Sequence, residues 1–227
     1  MNKFYTNVFR YGNNILYVGY ANGHRIKESV KFNPTLFLKT NNPSKYKTLD
    51  GITVDSVEPG TMRDCKEFIE THSASNFTVY GNTDYVAQYI NSRFPNTCTF
   101  DRDTLNVSSI DIEVQSDQGF PHPKDAAFPV TAITMKNNID HTYHTWGVGE
   151  YDSSKCIINN VKVNYVQCKD EHALLNKFIA HWQMNHPDLI TGWNSDGFDI
   201  PYLINRIAKL FGDEELKRLS IHHMMPN

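Results

Sequence analysis

Apolar and polar positions alternate along much of the first third of the chain, and Gly- and Asn-containing turns break the alternation. Phe4 to Arg10 and Ile15 to Tyr20 read as strands separated by Gly12-Asn13-Asn14, a hairpin signal. Ala21-Asn22-Gly23 is a second turn, because Asn-Gly adopts positive φ readily. Arg25 to Phe32 follows as a third strand, and Thr35 to Lys39 as a short strand after Asn33-Pro34. The period then changes. Met62, Cys65, Phe68 and Ile69 recur at helical spacing and predict a helix over Thr61 to Thr71. Val86, Tyr89 and Ile90 predict another over Asp84 to Asn91. Residues 1–106 therefore read as a small α+β domain.

The polar, turn-like stretch Asp101 to Asn106 marks the predicted boundary, and residues 107–227 form the second domain. Val107 to Val114, Phe128 to Lys136 and His141 to Val148 read as three strands in meander order, with Val163 to Gln167 as a further edge strand. Asp170 to Asn185 is the clearest helix. Asp170 can cap it, Leu174, Leu175, Phe178, Ile179 and Trp182 form its apolar stripe, and His186-Pro187 ends it. Asp188 to Trp193 reads as a buried-type strand. Asp199 to Phe211 reads as a second helix with Pro201 near its start and Gly212 after it.

Composition narrows the class. Hydrophobic residues are 40% of the 227 and aromatics 12%, enough for a packed core. No apolar run approaches the roughly 20 residues of a bilayer span, and the N-terminus lacks the apolar core of a secretion signal. The expectation is a soluble, intracellular protein with no membrane partner. The four cysteines lack metal-ligand spacing, and no His-Glu-x-x-His occurs. The net charge of −3 does not advertise a nucleic-acid binder. Its distribution is uneven: residues 1–106 carry +2 and residues 107–227 carry −5. An acidic half can still meet a phosphate backbone when its carboxylates hold divalent cations.

Two constellations carry candidate chemistry. Asp111 and Glu113 stand at i, i+2 in Ile110-Asp111-Ile112-Glu113-Val114, on one face of an apolar strand. If that face is buried, the two carboxylates need a cation, and a divalent ion with oxygen ligands suits them. If it is solvated, they are an ordinary acidic face. The second constellation is Thr191 to Tyr202, a strand leaving through a Gly- and Asn-containing turn into a helix that begins near Asp199. There the helix dipole favours an ionised aspartate, which serves either as a metal ligand or as a plain N-cap. Asp196 reads as a solvated turn residue.

Asp-x-Glu on a strand, followed by Asn194-x-x-x-Phe198-Asp199 leading into a helix, resembles the first two exonuclease motifs of family B DNA polymerases. Gly192-Trp193-Asn194, Phe198-Asp199-Ile200-Pro201-Tyr202 and Asn205-Arg206 lengthen the match. Asp117-Gln118-Gly119-Phe120-Pro121, Phe32-Asn33-Pro34-Thr35-Leu36-Phe37 and Met62-Arg63-Asp64 extend it across the chain, in the manner of the T-even bacteriophage type.

The resemblance implies a partial RNase H-like exonuclease domain behind the α+β N-terminal domain, and a 3′–5′ proofreading site. It implies two divalent ions (Mg²⁺ or Mn²⁺): Asp111 bridging both, Glu113 on the ion that activates water, Asp199 on the second. Phe120 would pack on the terminal bases, with a loop residue pinned under Pro121 as the plain alternative. Asn194 would contact the DNA end, with a turn-former as the alternative. The implied partners are the 3′ end of single-stranded DNA, primer-template DNA and the remaining polymerase, in cis or as a second chain. RNA is a further possible partner, through residues 1–106, where Tyr5, Tyr11, Tyr17 and Tyr20 are candidate stacking groups set against a hairpin-core role. The implied location is the cytoplasm of an infected bacterium.

Two departures stand out. The family's third exonuclease motif, a Tyr with an Asp four residues later, does not occur after Asp199, where residue 206 is Arg. Nor is any polymerase aspartate present. The expectation is weak or absent exonuclease activity for these residues alone. A substitute carboxylate from Asp213-Glu214-Glu215 is the less favoured reading; that cluster reads as the cap of a short helix.

Overall fold

The computed structural model describes residues 3–117, 119–157 and 160–225. It divides into two compact units, Met1–Asp101 and Arg102–Asn227.

In the first unit, β1 (Lys3–Tyr11), β2 (Asn14–Ala21) and β3 (His24–Lys31) form an antiparallel meander. The central strand β2 is buried from Ile15 through Tyr20. A second sheet, ordered β5-β6-β4-β7, is built from β4 (Leu36–Lys39), β5 (Tyr46–Lys47), β6 (Thr53–Val57) and β7 (Val79–Tyr80). Helix α1 (Met62–Ala74) starts with a reciprocal capping box: the Thr61 side chain accepts from the Asp64 amide and the Asp64 carboxylate accepts from the Thr61 amide. Helix α2 (Tyr85–Arg93) is capped by Asp84. Ile15, Tyr17, Leu36, Met62, Cys65, Tyr85 and Tyr89 make the core. Arg93 forks onto Glu28 at 2.7 and 3.1 Å while its guanidinium lies 4.0 Å from the Tyr17 ring centroid. Tyr17 and Tyr20 are thus core residues, removed from the candidate stacking set; Tyr11 is exposed.

The second unit is a five-stranded mixed sheet, ordered β11-β10-β9-β8-β12. Strands β8 (Val107–Val114), β9 (Val130–Asn137) and β10 (Thr142–Gly147) are antiparallel neighbours. Strand β11 (Lys162–Gln167) pairs parallel to β10, and β12 (Leu189–Thr191) parallel to β8. Helix α3 (Glu171–Met184) precedes β12, and α4 (Asp199–Phe211) follows it. The inward residues of β8, Ile110 and Ile112, share one core with Ile133 and Trp146 from the sheet and with Leu175, Phe178, Trp182, Leu203 and Ile207 from the helices.

Strand β12 corrects the expectation of a buried strand. It is three residues long and all three are exposed. Leu189 and Ile190 suggest burial by type, but β12 lies at the edge of the sheet and has a neighbour on one side only. A short apolar run reports residue type, not place in the sheet.

Candidate exonuclease site

The site grows from the middle of β8. Alternation along the strand turns Ile110 and Ile112 into the core and leaves Asp111 and Glu113 exposed on the other face. The acidic face is therefore open to solvent rather than buried. Opposite Glu113, the β8–β9 register slips so that Val114 pairs with Val130 and Thr131 is left over. Bulges of this kind re-aim side chains next to functional sites.

Parallel pairing with β12 stops at Ser109–Thr191. Beyond that point Asp199 takes the place of a strand partner: its Oδ1 accepts the Ile112 amide at 3.0 Å, across 87 residues of sequence. The turn from β12 makes this approach possible. A Cβ on Gly192 would lie 2.5 Å from the Ile110 carbonyl oxygen, so only glycine lets the backbone pass so close to β8. Asn194 follows at φ 56° and its carbonyl accepts the amides of Gly197 and Phe198. It is a turn-former in this structure, with its side chain exposed.

Asp199 is the first residue of α4 but not its cap. The N-cap position is Phe198, and no side chain caps the helix. At this helix end, burial opposes the ionisation that the helix dipole favours. Asp199 is 3% exposed. Desolvation raises its pKa from the ordinary aspartate value, against the amides of Ile112 and Asp199 itself, and the charge of Asp111 raises it further. Asp111 and Asp199 therefore act on each other electrostatically. Glu113 is not drawn into the same cluster: among the described residues no group of three His, Cys, Asp or Glu side chains gathers as a metal site. The donor chemistry nevertheless fits a hard divalent cation, being carboxylate oxygens of which one is buried beside a like charge.

Phe120 is 80% exposed, and its ring packs against Phe198 at 4.8 Å between centroids. Pro121 beside it is buried. Phe120 thus stands next to the residue that precedes Asp199, with most of its ring open. Asp196 is exposed. Glu214 and Glu215 are engaged by Lys217 and Arg218 within the 3₁₀ segment Asp213–Leu219, which leaves them bound to local partners.

Sequence reasoning missed Glu171 and Arg206 as a pair. Arg206 lies in the buried stripe of α4 with Tyr202, Leu203 and Ile207, and forks onto Glu171 at 2.8 and 2.7 Å. An arginine in an otherwise apolar helical stripe was the available signal; its partner lies 35 residues away.

A mixed five-stranded sheet whose fourth strand, β8, carries the carboxylates, with helices packed on its core face, has an RNase H-like architecture. The profile of DNA polymerase family B, exonuclease domain, matches residues 55–225, and the chain belongs to that family. It is 27% identical to the DNA-directed DNA polymerase of Enterobacteria phage T4 over 97% of this chain, and 29% identical to that of Escherichia phage RB69 over 98%. A shorter stretch, 21% of this chain, is 40% identical to the DNA polymerase delta catalytic subunit of Caenorhabditis elegans. The chain spans 27% of the length of each phage relative.

Proposed function

We propose that the second unit carries the 3′–5′ proofreading exonuclease site of a replicative phage-type DNA polymerase, removing nucleotides from the 3′ end of single-stranded DNA. The observation that carries this reading is the buried Asp199 carboxylate, bonded to the backbone of β8 beside Asp111. Burial beside a like charge is unfavourable unless a cation balances it. Asp111 and Asp199 are the pair that would hold the first divalent ion, with Glu113 joining for the second. Bound divalent ions supply charge neutralisation at the scissile phosphate and acidify a coordinated water. The chain's own residues set the rest. The Ile112 amide fixes the orientation of Asp199 against β8. The open ring of Phe120 offers a stacking surface that accepts any base, as a proofreading site requires. Asn194, in the turn before Asp199, offers an amide side chain to the DNA end.

The work of such a site belongs to primer-template DNA and to further polymerase sequence, in cis or as a second chain, in the cytoplasm of an infected bacterium. The third exonuclease motif does not occur in these residues, and only two of the carboxylates already interact. Weak cleavage by the 227 residues alone follows. The test is degradation of a 3′-labelled single-stranded oligonucleotide with Mg²⁺ or Mn²⁺, beside Asp111→Ala. The expected result is slow, metal-dependent release of mononucleotides, abolished in the variant, and accelerated by polymerase sequence carrying the third motif added in trans. Activity that survives Asp111→Ala, or that needs no metal, overturns the reading.

A second reading concerns the first unit. Phe37 and Tyr46 pack at 5.1 Å on its four-stranded sheet, with Lys45 4.9 Å from the Tyr46 ring centroid. Aromatic rings and lysines on a sheet suit stacking on RNA bases. Tyr46→Ala should weaken salt-dependent RNA binding, and equal binding by variant and wild type would exclude it.

A further inference from the structure

Helix α4 begins with Asp199, and the segment after Phe120 leads into β9. The two are tied along their length. Tyr202 Oη donates to the Phe128 carbonyl at 2.8 Å and accepts from the Phe128 amide at 3.0 Å. Asn205 Nδ2 donates to the Pro123 carbonyl at 3.1 Å. Arg206 Nη1 donates to the carbonyls of Ala126 and Ala127 at 3.0 and 3.2 Å, while its other nitrogens hold Glu171. Glu171 in turn accepts the Val130 amide at 2.7 Å. One buried ion pair thus joins α4, α3, the start of β9 and the loop that follows Phe120.

Ala126 makes the clamp informative. It is fully buried and sits at φ 39°, a left-handed backbone that a residue with a Cβ rarely adopts. Such a conformation persists only where its surroundings over-determine it. Arg206 bonds to its carbonyl directly. A buried ion pair is weak evidence for stability as such, since well-packed apolar groups often serve as well. What its fork adds is fixed geometry.

We propose that Arg206, oriented by Glu171, is a positioning residue for the exonuclease site, holding the Phe120 loop and the Asp199 helix as one unit. It touches neither substrate nor metal and acts through Ala126, Ala127 and α4. The inference rests on the exonuclease reading above, because Phe120 and Asp199 matter together only if one substrate end meets both. Errors of about 1 Å in such positioning can change rates by roughly a hundredfold.

The test uses the full chain with Ca²⁺ and a single-stranded oligonucleotide carrying 2-aminopurine either at its 3′ terminus or internally. The first variant is Arg206→Met with Glu171→Gln. It leaves no lone buried charge and keeps an acceptor for the Val130 amide. The second is Arg206→Lys, which keeps the charge but not the fork. In the wild type, binding should change the terminal 2-aminopurine emission more than the internal one, and Asp111→Ala should suppress the effect. The double variant should keep its circular dichroism spectrum, bind roughly tenfold more weakly and lose the difference between terminal and internal probes. Arg206→Lys should recover part of it. A folded double variant with wild-type affinity and terminal signal overturns the positioning role while leaving the exonuclease reading intact. A wild-type signal indifferent to Asp111→Ala overturns that reading and the positioning role with it. If the double variant does not fold, Arg206→Lys decides, and an unchanged terminal signal overturns the proposal.

Discussion

Asp199 concentrates the conflict between stability and function in one side chain. Burial and the charge of Asp111 raise its pKa. Below the ordinary aspartate value, the folded and unfolded chains both carry the proton. Between that value and the raised pKa, only the folded chain carries it, so the stability due to Asp199 falls as pH rises through this window and levels off above it. Asp199→Asn removes the charge and keeps an oxygen for the Ile112 amide. In metal-free thermal unfolding the variant should be more stable than wild type at pH 7, by about 0.5–2 kcal/mol, and this gain should shrink toward acid pH. Mn²⁺ binding, followed by calorimetry, should be lost in the variant, and in the wild type should weaken as pH falls through the same window. A variant less stable than wild type at pH 7 would show that the ionised carboxylate is stabilised there after all.

At the scale of elements, the turn from β12 to α4 decides whether Asp199 arrives at β8. Gly192 passes 2.5 Å, measured from an ideal Cβ, from the Ile110 carbonyl oxygen, a backbone atom with no flexible end to move aside. Gly192→Ala should therefore push the turn off β8, costing about 1–3 kcal/mol in denaturant unfolding of the second unit. It should also lower Mn²⁺ affinity, although residue 192 offers no ligand; unchanged affinity would place the turn's geometry outside the site. Local patterns made much of this legible beforehand. The span of α4, the span of β8 and the stripe of α3 follow from period and caps. The family motif, rather than spacing alone, singles out Asp111 and Asp199. Three things were not legible. The exposure of β12 depends on which strands flank it, and the pairing of Arg206 with Glu171 on long-range packing. The short strands β5, β6 and β7 span two to five residues, too few to establish a period.

Across the whole molecule, charge and site point in opposite directions until a cation is added. Residues 107–227 carry −5, and the exposed face of β8 presents Asp111 and Glu113 to the very phosphates that the proposed activity must approach. Without metal, the second unit should repel a single strand. With metal, the local sign inverts and the same carboxylates become the means of attachment. This yields a crossing prediction for anisotropy titrations of a single-stranded oligonucleotide. In chelator, Asp111→Ala should bind better than wild type, by up to about fivefold, since a unit charge at about 4 Å in water contributes ~1 kcal/mol. In Ca²⁺ the order should reverse, because the variant loses the ion that wild type gains. Added salt should weaken the repulsion seen in chelator and so narrow the first difference. If Asp111→Ala binds more weakly than wild type in both conditions, Asp111 meets the DNA by some route other than a bound cation. If it binds better in both, the acidic face is a solvated surface that merely repels nucleic acid.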